Sequence, residues 1–261
     1  MRQKRYSSDL TDSQWEIVKP YFPTSRRRRH DLRHEILDAI LYVVKTGCQW
    51  RMLPGEFAPW QTVYYYFDQW REEGRLQCLL SALRRTVRRE AGREGEPSAL
   101  IIDCQSVQTS RSGGIASFDA YKRAKGRKRH IVTDMQGLPW NVLVHAAGDH
   151  ESQWALHALK PVESWTDRVQ TVFADSAYQG LEAYQGLEND IESELNWSLS
   201  VVEPEGEKAG FSVDPKRWII ERTFSWLGGW RRLSRDYERH TDSSETMVQA
   251  ALLRIALNRL A

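Results

Sequence analysis

The chain has 261 residues, 41% hydrophobic and 28% charged, with 37 Lys+Arg against 35 Asp+Glu for a formal net charge of +2. That apolar share supports a real core and excludes a disordered tail, while the longest apolar stretches, such as Ala39 to Val44, fall far short of the ~20 residues a membrane span needs. The basic start Met1-Arg2-Gln3-Lys4-Arg5 has no apolar run behind it, so no secretory signal is expected. Three scattered cysteines (Cys48, Cys78, Cys104) without a C-x-x-C pair argue against a disulfide scaffold or a thiolate zinc site. The expectation is a reduced, cytoplasmic, globular protein of one large or two modest domains.

The first third reads as helices. Thr11-Asp12-Ser13-Gln14 has the form of a capping box, and Trp15, Ile17, Val18 and Tyr21 follow as an apolar face. Pro23 ends that helix, and Arg26, Arg27, Arg28 and Arg29 sit in the connection. Asp31 caps a second helix carrying Leu32, Ile36, Leu37, Ile40, Leu41 and Val44, closed by Gly47. Pro59 precedes an aromatic-rich helix from Trp60 to Glu73, stopped by Gly74, and a fourth runs from Leu76 to Glu90. The polar, breaker-rich stretch Gly92 to Pro97 marks a boundary, giving a helical domain over 1–95 and a second domain over 96–261.

Beyond the boundary the period changes. Ala99-Leu100-Ile101-Ile102 is a continuous apolar run, as in a strand buried on both faces. Arg129–Thr133 and Trp140–Ala146 alternate as strands about the turn Asp134 to Gly137. A helix over His150–Val162, with Asp149 as its cap, precedes a strand over Val169–Ala174. A short strand at Leu199–Val202 and a helix opened by Pro215 follow. Strands interleaved with helices predict an α/β class, a mixed sheet flanked by helices, with an all-helical domain ahead of it.

Net charge conceals an asymmetry. Residues 1–97 hold 18 Lys or Arg and 13 Asp or Glu, a balance of +5, whereas residues 163–207 hold one base and eleven acids, a balance of −10. Between them Lys122 to Arg129 packs six bases into eight residues. Such separation suits a polyanionic partner on one side of the molecule and a solvated acidic face on the other.

Nucleotide-binding and hydrolase motifs are missing: no G-x-G-x-x-G, Walker A or G-x-S-x-G occurs. His34-Glu35-Ile36-Leu37-Asp38 resembles H-E-x-x-H but ends in Asp, and a solvated helix face accounts for it. His145, His150 and His157 share no helical or hairpin spacing and read as structural. Three carboxylates stand out. Asp103 and Asp175 each end an apolar strand, and if those strands are parallel neighbours both project from one sheet edge. Glu221 lies in a helix with Trp218, Ile219, Ile220, Phe224 and Leu227, on a polar stripe with Arg217, Ser225 and Gly228. Acids meeting at a sheet edge repel unless divalent cations lie between them, as in two-metal phosphoryl transfer; the alternative is ordinary turn residues after strands.

The motifs also resemble those of the DDE transposases of bacterial insertion sequences, in the IS-five-like branch. Leu10 to Trp15, Thr46 to Pro54 and Pro59 to Phe67 resemble the helical leader of that branch. Ile102-Asp103-Cys104-Gln105-Ser106-Val107 resembles its first-aspartate motif, usually with Ser where Cys104 stands, and Lys125 to His130 its basic hairpin. Ala174-Asp175-Ser176-Ala177-Tyr178 resembles the second-aspartate motif. Glu221 to Leu227 followed by Arg231-Arg232-Leu233 resembles the glutamate motif, with Arg217 fitting R-x-x-x-E; Asp214 and Gly228 occupy the outer positions of that pattern, where Arg231 or Arg232 substitutes.

The resemblance implies a ribonuclease-H-like catalytic domain in which Asp103, Asp175 and Glu221 hold two Mg²⁺ ions, Mn²⁺ substituting. It implies cleavage at transposon ends and strand transfer into target DNA, by in-line displacement without a covalent protein–DNA intermediate. Double-stranded DNA (terminal inverted repeats and target) is the implied partner, bridged by a homodimer or larger assembly acting on bacterial DNA. Arg26–Arg29, Lys122, Arg123, Lys125, Arg127, Lys128, Arg129, Arg217, Arg231 and Arg232 are the candidate DNA contacts, and the helices around residues 31–73 a candidate helix-turn-helix. Two other classes fit the same residues: a catalytically inactive or domesticated DNA-binding regulator, and a metal nuclease that cuts without joining.

Overall fold

Thr11 and Gln14 form the expected capping box at the start of α1 (Asp12–Val18), the Thr11 hydroxyl accepting from Gln14 N at 3.2 Å and the Gln14 side chain from Thr11 N at 3.1 Å. The computed structural model describes residues 6–22, 29–110, 114–178, 183–201 and 215–260. Asp31 accepts from Arg33 N and His34 N, opening a π turn over Leu32–Leu37 that runs into α2 (Asp38–Thr46). Gly47 ends α2 at φ 72°, a left-handed conformation that costs Gly little. There a Cβ would lie 3.1 Å from the Arg231 side chain, so the glycine also admits the connection that follows the Glu221 helix. Then come α3 (Trp60–Glu72) and α4 (Arg75–Glu90). The connection from Gly47 to Pro59 is far longer than the 3–4-residue turn of a helix-turn-helix. The α2–α3 pair therefore corrects that expectation.

Among the described residues six strands make one sheet: β1 (Ala99–Gln108), β2 (Ser117–Asp119), β3 (Ala124–Asp134), β4 (Pro139–Ala146), β5 (Thr171–Ala174) and β6 (Ser198–Val201). β1, β3 and β4 form an antiparallel meander, with β2 also paired to β3, whereas β5 lies parallel to β1 and β6 parallel to β5. Parallel neighbours need crossovers, supplied by α5 (Glu151–Glu163) ahead of β5 and α6 (Ala183–Leu195) ahead of β6. Two helices close the chain, α7 (Pro215–Gly228) packing on β1 and α8 (Thr241–Leu257) on β4.

Strand alternation divides the core. Leu100, Ile102, Val132 and Trp140 pack with Ala155, Leu159 and Val162 of α5 and Leu187, Ile191 and Leu195 of α6. Ile131, Val142 and Val144 face the other way, into a cluster that includes Val248 and Leu252 of α8 together with Ile36, Ile40, Phe67, Leu79 and Leu80. The helical leader thus shares one apolar core with the C-terminal helix and the sheet. Arg84 reinforces the join: fully buried, it donates to Pro139 O at 2.9 Å and lies 4.2 Å from the Trp140 ring. Arg88 pairs with buried Asp134 at 2.6 Å. The breaker-rich stretch at 92–97 marks a change of secondary structure inside a continuous core. At α5 it is His150 that caps the helix, while Asp149 accepts from Trp154 Nε1 at 3.1 Å.

Candidate active site

The parallel register Ala99↔Thr171, Leu100↔Val172, Ile101↔Phe173, continued by two residues, sets Asp103 opposite Asp175. Period-two alternation then puts both carboxylates on the face carrying Ile101 and Phe173, away from the α5–α6 core. A narrow cleft on that face is lined by Ile101, Ile102, Asp103, Phe173, Ala174, Asp175 and, from α7, Lys216 and Ile220. Glu221 follows Ile220 directly and is exposed. The strand pair sets Asp103 and Asp175 on one face of the sheet, Asp103 inside β1 rather than at its end as expected, and α7 carries Glu221 one residue beyond Ile220 of the cleft wall.

Each aspartate is oriented by its own backbone. Asp103 Oδ1 accepts from Cys104 N at 2.6 Å and Asp175 Oδ1 from Ala177 N at 3.0 Å, the latter the local turn that short acidic side chains favour. Lys216 Nζ stands 3.7 Å from the centre of the Phe173 ring, placing a cation at the wall of the cleft. Sequence reading missed Lys216, although it opens the same helix five residues before Glu221. Behind the edge, burial raises the carboxyl pKa of Glu151; Lys128 opposes that shift and Asp175 adds to it.

The basic run divides. Lys122, Arg123 and Lys125 are exposed, beside Tyr121 at 90% and Phe118 at 58% exposure. Arg127, Lys128 and Arg129 are buried, which corrects their expected role as phosphate contacts. Arg127 donates to Ile115 O at 2.8 Å, Glu238 O at 2.9 Å and Arg239 O at 2.9 Å and pairs with Asp236 at 3.1 Å. Arg129 donates to Leu233 O at 2.8 Å. Lys128, on the opposite face, donates to Asp149 O at 3.0 Å and pairs with Glu151 at 3.4 Å. Arg232 is likewise buried, 2.7 Å from Glu238, whereas Arg29 and Arg231 are exposed. Arg26, Arg27 and Arg28 lie outside the described residues, as does the Arg217 side chain.

Of the histidines set aside by their spacing, His145 meets His130, a residue outside that set. His130 Nε2 and His145 Nε2 are 3.0 Å apart, with Tyr178 Oη 3.1 Å from His130 Nδ1 and Ala146 O 2.8 Å from His145 Nδ1. Burial lowers both imidazole pKa values, His145 to about 4 and His130 well below its usual value. Asp38 departs from the solvated-face reading: it is 1% exposed, accepts from Leu10 N at 2.9 Å and stands 3.3 Å from His34 Nδ1. Desolvation raises its pKa to about 7.

Residues 94–256 match the family described as the transposase DDE domain, and residues 10–80 match a family assigned to transposases of the IS4/5 type. A Burkholderia cepacia protein assigned as the transposase for insertion sequence element IS402 is 28% identical over 195 residues, 70% of this chain and 89% of the relative. An uncharacterised Sinorhizobium fredii protein, y4sN, is 28% identical over 120 residues, 45% of this chain and 86% of its own length. The transposase DDE-domain match assigns this mixed α/β sheet to a class of DNA-processing enzymes. With the match covering well over half its length, the chain belongs to the DDE-domain transposases of the IS4/IS5 type. Among the described residues no helix is long and apolar enough to cross a membrane.

Proposed function

We propose that the protein cuts DNA at the ends of an insertion sequence and joins the freed ends to target DNA, using Asp103, Asp175 and Glu221 as ligands for two Mg²⁺ ions, with Mn²⁺ able to replace them. The observation that supports this most directly is the in-register placement of Asp103 and Asp175 on one sheet face under α7. The donor set fits the ions: hard carboxylate oxygens suit Mg²⁺, and the register sets two of them on adjacent strands. When bound, such ions activate the attacking oxygen and stabilise the leaving 3′-oxygen. The chain supplies the rest. The backbone amides of Cys104 and Ala177 hold the two aspartates in orientation, and Lys216 adds positive charge at the cleft wall for a phosphodiester. Exposed Lys122, Arg123, Lys125, Arg231 and Arg29 are the cations available to hold the duplex, contacts that position DNA without reading bases. Two protomers bridging two terminal inverted repeats complete the reading.

Incubation with Mg²⁺, labelled terminal-repeat DNA and a plasmid target tests it. Joined products are expected. Cuts without joining would indicate a nuclease, and a mobility shift without cutting a DNA-binding regulator; either overturns the proposal.

A further inference from the structure

We infer that Cys104, His130 and His145 form a second cation site, of soft character and suited to Zn²⁺, on the opposite face of β1 from Asp103. One ring nitrogen of each histidine and Cys104 Sγ all lie within 4.8 Å of one another, and the two Nε2 atoms are 3.0 Å apart. Cys104 and His130 are direct cross-strand partners of β1 and β3, and His145 reaches in from β4. His130 is fully buried and His145 nearly so.

The outer contacts are those of metal-ligating imidazoles, whose second nitrogen is held by an oxygen partner. Ala146 O can only accept, so His145 carries its proton on Nδ1 and presents a lone pair at Nε2. Tyr178 Oη can accept from His130 Nδ1, which leaves the second Nε2 lone pair converging on the first. Trp154 stacks on the His145 ring at 4.6 Å and 8°, fixing its orientation. One thiolate and two imidazoles with a fourth position left over is a donor set for tetrahedral Zn²⁺. Uptake displaces the Cys104 thiol proton to solvent, so a single proton is released per ion bound. The ion would tie three strands together directly behind the edge that carries Asp103. It lies apart from the carboxylates and does not rest on the proposed function.

The same atoms can instead form a metal-free chain in which His130 Nε2–H donates to His145 Nε2, and experiment separates the two. Full-length protein carrying Asp103→Asn and Glu221→Gln, which disable the carboxylate site, is purified under reducing conditions, stripped of metal and titrated with Co²⁺. We expect a single equivalent to bind with a thiolate-to-cobalt charge-transfer band and the visible absorption of tetrahedral cobalt, both displaced by Zn²⁺. Cys104→Ala should abolish the charge-transfer band, and Tyr178→Phe, which keeps the ring but removes the outer oxygen, should weaken binding by roughly 10–100-fold. Far-UV circular dichroism of each variant establishes that it is folded, and zinc analysis of the unsubstituted protein as purified serves if a variant is not. Absence of the thiolate band from folded protein, with no zinc in the purified chain, would overturn the inference. Binding that is indifferent to Cys104→Ala would overturn it too.

Discussion

Asp236 is fully buried between two guanidinium groups, 3.1 Å from Arg127 and 4.0 Å from Arg129, and accepts from Ser244 Oγ at 2.6 Å. Cations neutralised in this way cannot reach DNA, and removing Arg127 takes the nearer partner from buried Asp236, leaving only Arg129 at 4.0 Å. Arg127→Gln is therefore expected to cost on the order of 3–5 kcal/mol in urea unfolding, the usual penalty for breaking a buried pair, and to leave the salt dependence of DNA binding unchanged. The exposed neighbours behave oppositely. Replacing Lys122, Arg123 and Lys125 together with Gln should flatten the slope of log K against log [salt] by roughly 2.7 if each contacts one phosphate, equally for terminal and random DNA. An unchanged slope would return them to an ordinary solvated turn. Asp38 gives a pH prediction. Its carboxyl titrates near 3.8 in the unfolded chain and at about 7 in the fold, so between those values the folded protein holds a proton that the unfolded chain has lost. Its contribution is complete below about pH 4 and is lost as pH rises through about 7. Asp38→Asn removes that titration, so the variant should lose less stability than the parent between about pH 5 and pH 8 in paired urea unfolding curves. Equal losses would show that Asp38 ionises normally. Glu245, also raised to about 7 by burial, retains the same trend in the variant.

At the scale of elements, α8 is what makes the helical leader part of the whole. Met247, Val248, Ala251 and Leu252 are buried in the cluster that holds α2, α3 and α4, and Arg254 reaches Ser8 O at 3.3 Å. Residues 1–95 alone would expose that apolar face, so the isolated segment is expected to show little cooperative thermal unfolding by circular dichroism, whereas the full chain melts as one unit. A sharp independent transition for 1–95 would contradict the shared core. The leader helices were legible because caps and breakers act locally: Thr11 with Gln14, Asp31, Gly47 and Gly74 all mark their ends. Asp103 and Asp175 were legible because each follows a run of apolar residues that must lie in a buried strand. β1 itself extends beyond the apolar run, since Gln105, Ser106 and Gln108 carry no apolar pattern even though they pair with Arg129, Lys128 and Gly126 respectively. The burial of Arg127 and Arg129 was illegible because their partners, Asp236 and the carbonyls around it, lie more than 100 residues away. His130 and His145 meet only across a strand pair, a register that no spacing rule revealed.

Across the whole molecule the charges sort by direction. The acidic segment forms much of α6, where Asp190, Glu192 and Glu194 are exposed and Glu194 pairs with Lys160. That helix covers the α5 side of the sheet, while the Asp103–Asp175 edge opens towards α7 on the other face. The exposed bases Lys122, Arg123 and Lys125 lie where β2 meets β3. DNA approaching the cleft from the α7 side would meet Lys216 at the cleft wall and avoid the acidic helix. The proposed chemistry requires the three acids together. The direct measurement is cleavage of labelled terminal-repeat DNA in Mg²⁺ by Asp103→Asn, Asp175→Asn and Glu221→Gln, with end binding of each variant measured in parallel. An amide is a poor ligand for a hard dication, so each variant should bind ends nearly as well as the parent yet cut none. Near-parental cleavage by any one of them would contradict its place in the site.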